Sequence, residues 1–238
     1  SKFHLQSPEQ IPDSKVTSNV TQAATTEHFD PAAHGGDEDT STGLNSRKLL
    51  MWTFLGSDVM FFGAFIATYL VYRGRSLNGP YPSEILNIPV TSVSTFVLLM
   101  SSLAMVLGLY YLREGQKNKA TLWILVVVLL GTVFMGFQFV EFREFAHEGL
   151  TPRTNIFGTT FFILTGIHGA HVTIGVIWMA FLAYSSHRGK LRADNSLDLE
   201  IAGLYWHFVD IVWIVIFTVI YLISANDGPP PGAELLHG

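Results

Sequence analysis

T-G-I-H-G-A-H-V-T-I-G, residues 165–175, and Y-W-H-F-V-D-I-V-W, residues 205–213, are the two stretches on which the reading of this chain turns. Each sets two ionisable side chains three residues apart: His168 with His171, and His207 with Asp210. Residues at that spacing share one face of a helix. Both pairs lie inside long apolar runs, and a run of about 20 such residues is long enough to cross a bilayer. Ionisable groups at that depth are costly, and they face a bundle interior or a polar cleft.

Working outward from these two segments, the chain contains five apolar runs, over 49–72, 89–112, 122–145, 157–184 and 201–225. Between the first two, R-G-R-S-L-N-G-P-Y-P-S-E-I-L-N-I-P carries three prolines and two glycines and breaks any helix. N-D-G-P-P-P-G, from Asn226, closes the last run. The composition agrees: 49% of the 238 residues are hydrophobic and 14% charged, with 18 Phe suited to a lipid-facing surface. The expected fold class is all-α, an integral membrane bundle of five transmembrane helices over 47–225 with a polar N-terminal tail.

Composition also narrows the chemistry. The chain has no cysteine, which excludes disulfides, thiolate catalysis, Cys-type zinc sites, iron–sulfur clusters and C-x-x-C-H haem attachment. No basic run points to nucleic acid. Residues 1–46 are polar and lack the apolar segment of a secretory signal, so they read as a disordered or draped tail. His28 and His34 beside Asp30, Asp37 and Glu38 admit a metal reading, but a solvated tail that touches a partner is the simpler one. Residues 226–238 form a short Pro-rich C-terminal tail.

Loop charge sets an expected orientation. One side carries Arg47, Lys48, Arg113, Lys117, Lys119, Arg188, Lys190 and Arg192, and the other carries Arg73, Arg75, Arg143 and Arg153. Eight cations against four place the N-terminus in the cytoplasm and the C-terminus outside.

Further polar groups lie within the spans. Asp58 sits in the first, among the small residues Gly56, Ser57, Gly63, Ala64 and Ala67, which let another helix approach. A carboxyl group at that depth either keeps its proton or bonds to a neighbouring helix. It would serve as interhelical glue, or hold a lipid head or contact a proton path. Gln138 and Glu141 share a face of the third span, where Glu141, Arg143 and Glu144 read as an interfacial charge cluster of small energetic value. Gly166 and Gly169 leave room beside the histidines for a helix, a lipid or a cofactor. In the last span Trp206 and Trp213, seven residues apart, share a face next to Tyr205. His207 and Asp210 are placed to bond each other and fix the imidazole tautomer.

Three histidines and an aspartate admit zinc, copper or non-haem iron, and a pair of histidines on different helices admits a haem. The spacings H-x-x-H and H-x-x-D lack the added carboxylates of a di-metal bundle. Structural or lipid-contacting polar groups are the competing reading. A transporter would show internal repeats or broken helices, and only the glycines around His168 hint at a break.

Taken in order, several segments resemble subunit III of the haem–copper terminal oxidases, the cytochrome c oxidase subunit 3 family. H-F-V-D-I-V-W after Tyr205 and Trp206, with Glu200 upstream, is similar to that family's last helix. F-F-I-L-T-G-I-H-G-A-H-V-T-I-G, Phe161 to Gly175, is similar to the helix before it. F-Q-F-V-E-F, Phe137 to Phe142, resembles its Q-x-x-E-[YF] segment, and F-L-G-S-D-V-M-F-F resembles the start of its third helix. The second span, with Ser94 and Thr95, matches only loosely. The likeness covers roughly 47–225, and the joint order of the motifs makes it specific. Longer members carry two further N-terminal helices where this chain has its polar tail, so it resembles the five-helix bacterial form. Asp58 stands where cytochrome c oxidases usually have Glu and quinol-oxidising relatives often have Asp.

The resemblance implies a respiratory membrane subunit without a redox centre of its own. It would sit in a bacterial plasma membrane beside catalytic subunit I and subunit II, which hold the haem and copper, with respiratory supercomplex partners possible. It would bind phospholipid in a V-shaped cleft, support proton uptake and protect the oxidase during turnover. Asp58, Gln138, Glu141, His168, His171, His207 and Asp210 would then form a buried polar network with lipid contacts, and Tyr205, Trp206 and Trp213 would pack against other subunits. The electron donor would be cytochrome c. The alternatives are subunit III of a quinol oxidase and a free-standing haem or metal oxidoreductase using His168, His171 and His207.

Overall fold

A computed structural model describes residues 45–74, 86–191 and 196–224; of the tails expected over 1–46 and 226–238, residues 1–44 and 226–238 lie outside the described residues, as do the loop cations Arg75 and Arg192. The five expected spans are five helices long and apolar enough to cross a membrane. They are α1 (Ser46–Tyr72), α2 (Ile88–Arg113), α3 (Lys117–His147), α4 (Ile156–His187) and α5 (Leu197–Ile216), which continues over Phe217–Ile223 with wider π-type turns. Among the described residues no strand contributes to this core, and the architecture is all-α.

The helices start one to five residues ahead of their apolar runs, and local caps set several of their ends. The Asn87 side chain accepts from Val90 N–H at the start of α2, and Asn155 accepts from Gly158 N–H at 2.7 Å at the start of α4. At the other end of α2, Gly115 takes φ 73°, and its neighbour Gln116 donates back to the Tyr111 carbonyl at 2.9 Å. This closure satisfies carbonyls the helix end would leave open, and it needs a left-handed residue that glycine supplies. The same closure ends α3 at Gly149 and α4 at Gly189. Tight turns of this kind hold α2, α3 and α4 side by side.

Close backbone approaches run α2–α3, α3–α4, α4–α5 and α2–α5, so α2 to α5 form a closed ring of four helices. Helix α1 joins through side chains along one seam, with Met51, Leu55, Asp58, Phe62 and Tyr69 turned inward. Phe62 meets Phe208 and the His171 ring, and Tyr69 meets Phe157, so the seam faces α4 and α5. Both ends of α1 are tied to α5. Lys48 pairs with Glu200, Arg47 with Asp198 at 2.6 Å, and Arg73 donates to the Ile223 carbonyl at 2.8 Å. Helices α1 and α5 therefore run parallel.

Candidate functional site

The centre of the ring is built around two tryptophans of α5. The Trp206 indole lies between Gly131 of α3 and Gly175 of α4: a Cβ on Gly131 would come within 2.7 Å of it, and one on Gly175 within 2.8 Å. Its Nε1–H donates to Ser101 Oγ at 2.9 Å. Two turns along the same face, Trp213 lies tilted against His168 at 4.8 Å between centroids and donates to Thr95 Oγ1 at 3.0 Å. Tyr205 donates its hydroxyl proton to the His171 carbonyl at 2.9 Å. All three aromatic residues are buried within this chain. The expectation that Tyr205, Trp206 and Trp213 pack against other subunits is thus corrected. Large aromatic surface and N–H donors find their partners inside the bundle, where glycines leave room.

The histidines occupy separate settings. His168 is fully buried, and its Nε2–H donates to the Val209 carbonyl at 3.2 Å. A carbonyl can only accept, so Nδ1 carries the lone pair, and that atom has no hydrogen-bond partner. Gln138 donates to the Thr165 carbonyl at 2.8 Å, and its Oε1, packed on Gly169, is likewise unpartnered. The room beside the histidines is therefore taken by Gln138 at Gly169, while the space next to Gly166 stays open.

His171 donates from Nδ1 to the Ile167 carbonyl at 2.9 Å and turns Nε2 toward Asp58 Oδ2 at 3.4 Å. This couple joins α1 to α4 at mid-span. His207 and Asp210 do not bond each other. Ser102 of α2 stands between them, 2.7 Å from His207 Nδ1 and donating to Asp210 Oδ2.

Glu141 turns inward rather than joining an interfacial cluster with Arg143 and Glu144, which are exposed. It accepts from Thr91 Oγ1 of α2 at 2.8 Å. The polar partners that sequence reasoning missed thus come largely from α2: Thr91, Thr95, Ser101 and Ser102. Their signal was available. Hydroxyl residues recur along α2 at intervals of three, four and seven, one face of a helix.

Among the described residues, no three His, Cys, Asp or Glu side chains gather into a metal-ligand set. His168, His171 and His207 each have one nitrogen committed to a partner in this chain. Beside the polar seam, a cavity of about 370 Å³ opens between α1 and α4, lined by Phe65, Tyr72, Ile156 and Ile163 with the hydroxyls of Thr68, Thr159 and Thr160.

These features define a multi-pass membrane protein in which His168, Glu141 and Asp210 are hydrogen-bonded between its own helices. The family model for "Cytochrome c oxidase subunit III" matches residues 32–225. "Cytochrome c oxidase subunit 3" of Bacillus sp. (strain PS3) is 38% identical over 207 residues, 87% of this chain and 98% of that relative. "Probable quinol oxidase subunit 3" of Staphylococcus saprophyticus is 39% identical over 181 residues, 76% of this chain and 90% of that relative. Its Staphylococcus aureus counterpart is 37% identical over 178 residues, 74% of this chain and 89% of that relative. The chain belongs to the cytochrome c oxidase subunit III family, the third subunit of haem–copper terminal oxidases.

Proposed function

We propose that this chain is the non-redox subunit of a proton-pumping aerobic terminal oxidase that takes electrons from cytochrome c. Haem and copper reside in catalytic subunit I and in subunit II. The chain packs beside the catalytic subunit in the bacterial plasma membrane, N-terminus in the cytoplasm and C-terminus outside. It supports proton uptake and stability during turnover. The observation that carries this reading is the commitment of His168, Asp210 and Glu141 to bonds between helices, within a chain of this family. Such bonds hold a scaffold in one geometry; an electron-transfer centre needs convergent ligands.

Phospholipid is the ligand this reading assigns. The cavity between α1 and α4 offers apolar walls for an acyl chain and threonine hydroxyls with Tyr72 for the polar end. The Asp58–His171 contact also lies between α1 and α4.

The test is purification of the complex through a tag on this chain. Oxygen uptake is then measured with reduced cytochrome c and with a quinol. Co-purifying haem and copper with cytochrome c oxidation support the reading. Quinol oxidation alone makes the complex a quinol oxidase, a result Asp58 and the staphylococcal relatives keep in view. Absence of haem from the complex overturns the assignment. Within such a complex, Asp58→Ala should leave assembly intact and accelerate inactivation during turnover. An unchanged inactivation rate contradicts that role for Asp58.

A further inference from the structure

The Ser102–His207–Asp210 cluster differs from the other polar couples in its position, because it reaches the surface. Asp210 is buried, but Ser102 and His207 are only half-buried, in the groove between α2 and α5. Around them the surface is apolar, with Leu103, Val106 and Ile211 more than half exposed. Ser102 has a single hydroxyl proton, which goes to Asp210 Oδ2. With Asp210 as a carboxylate, the Ser102 oxygen accepts from His207 Nδ1–H, and a neutral imidazole then presents a lone pair on Nε2, at the edge of the ring away from Ser102. That nitrogen has no hydrogen-bond partner among the described residues, yet it is not one of the sealed-off polar atoms.

Depth decides what can meet it. Glu200, paired with Lys48 and Arg113, marks the charged end of α5. At about 1.5 Å per residue, His207 lies about 10 Å further along the helix. The membrane-spanning helix runs Leu197–Ile223, so His207 falls close to its midpoint. A lipid headgroup does not sit at that depth, and acyl chains offer no hydrogen bond. A polar atom presented there calls for a side chain from another transmembrane helix.

We infer that the α2–α5 groove is the face on which this chain docks against the catalytic subunit, with His207 Nε2 accepting a hydrogen bond from an O–H or N–H side chain of one of that subunit's transmembrane helices. The inference rests on the proposed function and names the contact face and the chemistry of the partner group. Asp210 and Ser102 set the tautomer that makes His207 an acceptor, and the exposed Leu103, Val106 and Ile211 supply the apolar rim of the contact.

A photo-cross-linking residue placed at Ile211 in the full complex tests the face, with one at Ile177 on the outer face of α4 as the control position. The expected result is a covalent adduct between Ile211 and the haem-bearing subunit, and none from Ile177. If haem co-purifies but Ile211 captures only lipid or a second copy of this chain, the docking face is wrong while the family role stands. If no haem co-purifies, both fail. His207→Leu should weaken retention of the chain per haem in detergent washes by about three- to tenfold, the usual worth of one interhelical hydrogen bond. His207→Gln, which keeps an acceptor, should restore it. Equal retention of both variants overturns the role of the acceptor.

Discussion

Trp206 shows how single residues shape this bundle. Its indole needs two glycines, one on each facing helix, and a serine to take its N–H. In a bilayer, helices gain little from burying apolar surface against one another, so close packing and hydrogen bonds carry the association. A methyl group at Gly175 would meet the ring at 2.8 Å, and the rigid indole, wedged also against Gly131, has little freedom to withdraw. Gly175→Ala should therefore destabilise the folded chain by about 1–3 kcal/mol, the usual cost of overpacking. Thermal unfolding of the purified complex checks this: an unchanged midpoint for release of this chain contradicts the wedge. None of this could be read from the motif alone. Gly175 and Trp206 are 31 positions apart, and only helix packing brings them together.

Among the helices, α1 stands apart. The ring of α2 to α5 is closed by backbone approach, whereas α1 is held by one row of side chains and by ties at its two ends. The terminal ion pairs are at least partly exposed, and pairs of that kind contribute about 0–1 kcal/mol each. The mid-span Asp58–His171 couple is the better-protected tie. Hydrogen exchange on the detergent-solubilised complex should show α1 amides exchanging about tenfold faster than those of α3 and α4, because local opening tracks sparse packing. Equal protection across the helices would contradict this. The existence and length of the helices were legible because apolar runs bounded by Pro, Gly and charges leave few alternatives. The π-type turns over Phe217–Ile223 were not, since no local residue pattern announced them.

For the molecule as a whole, sequence reasoning singled out the ionisable groups within the spans and misjudged several of their partners. His207 and Asp210 looked like a local pair because they are three residues apart, but Ser102, 105 positions upstream of His207, takes both. Glu141 looked interfacial from its charged neighbours, but Thr91 draws it into the ring. Spacing along one helix tells which residues share a face; it does not tell which helix that face meets. Helix α2, whose match to the family motifs was the loosest, supplies most of the missing partners. Its hydroxyl face turns a set of costly buried groups into the bonds that hold the ring together.

The claim on which the rest depends is that these buried groups bind helices and neighbours to one another and hold no redox metal. The most direct measurement compares iron and copper per catalytic subunit, by mass spectrometry and visible absorption, in the oxidase before and after this chain is stripped away with detergent. The account predicts unchanged iron, copper and absorption in the depleted enzyme. Loss of iron or copper in proportion to the chain removed would contradict it.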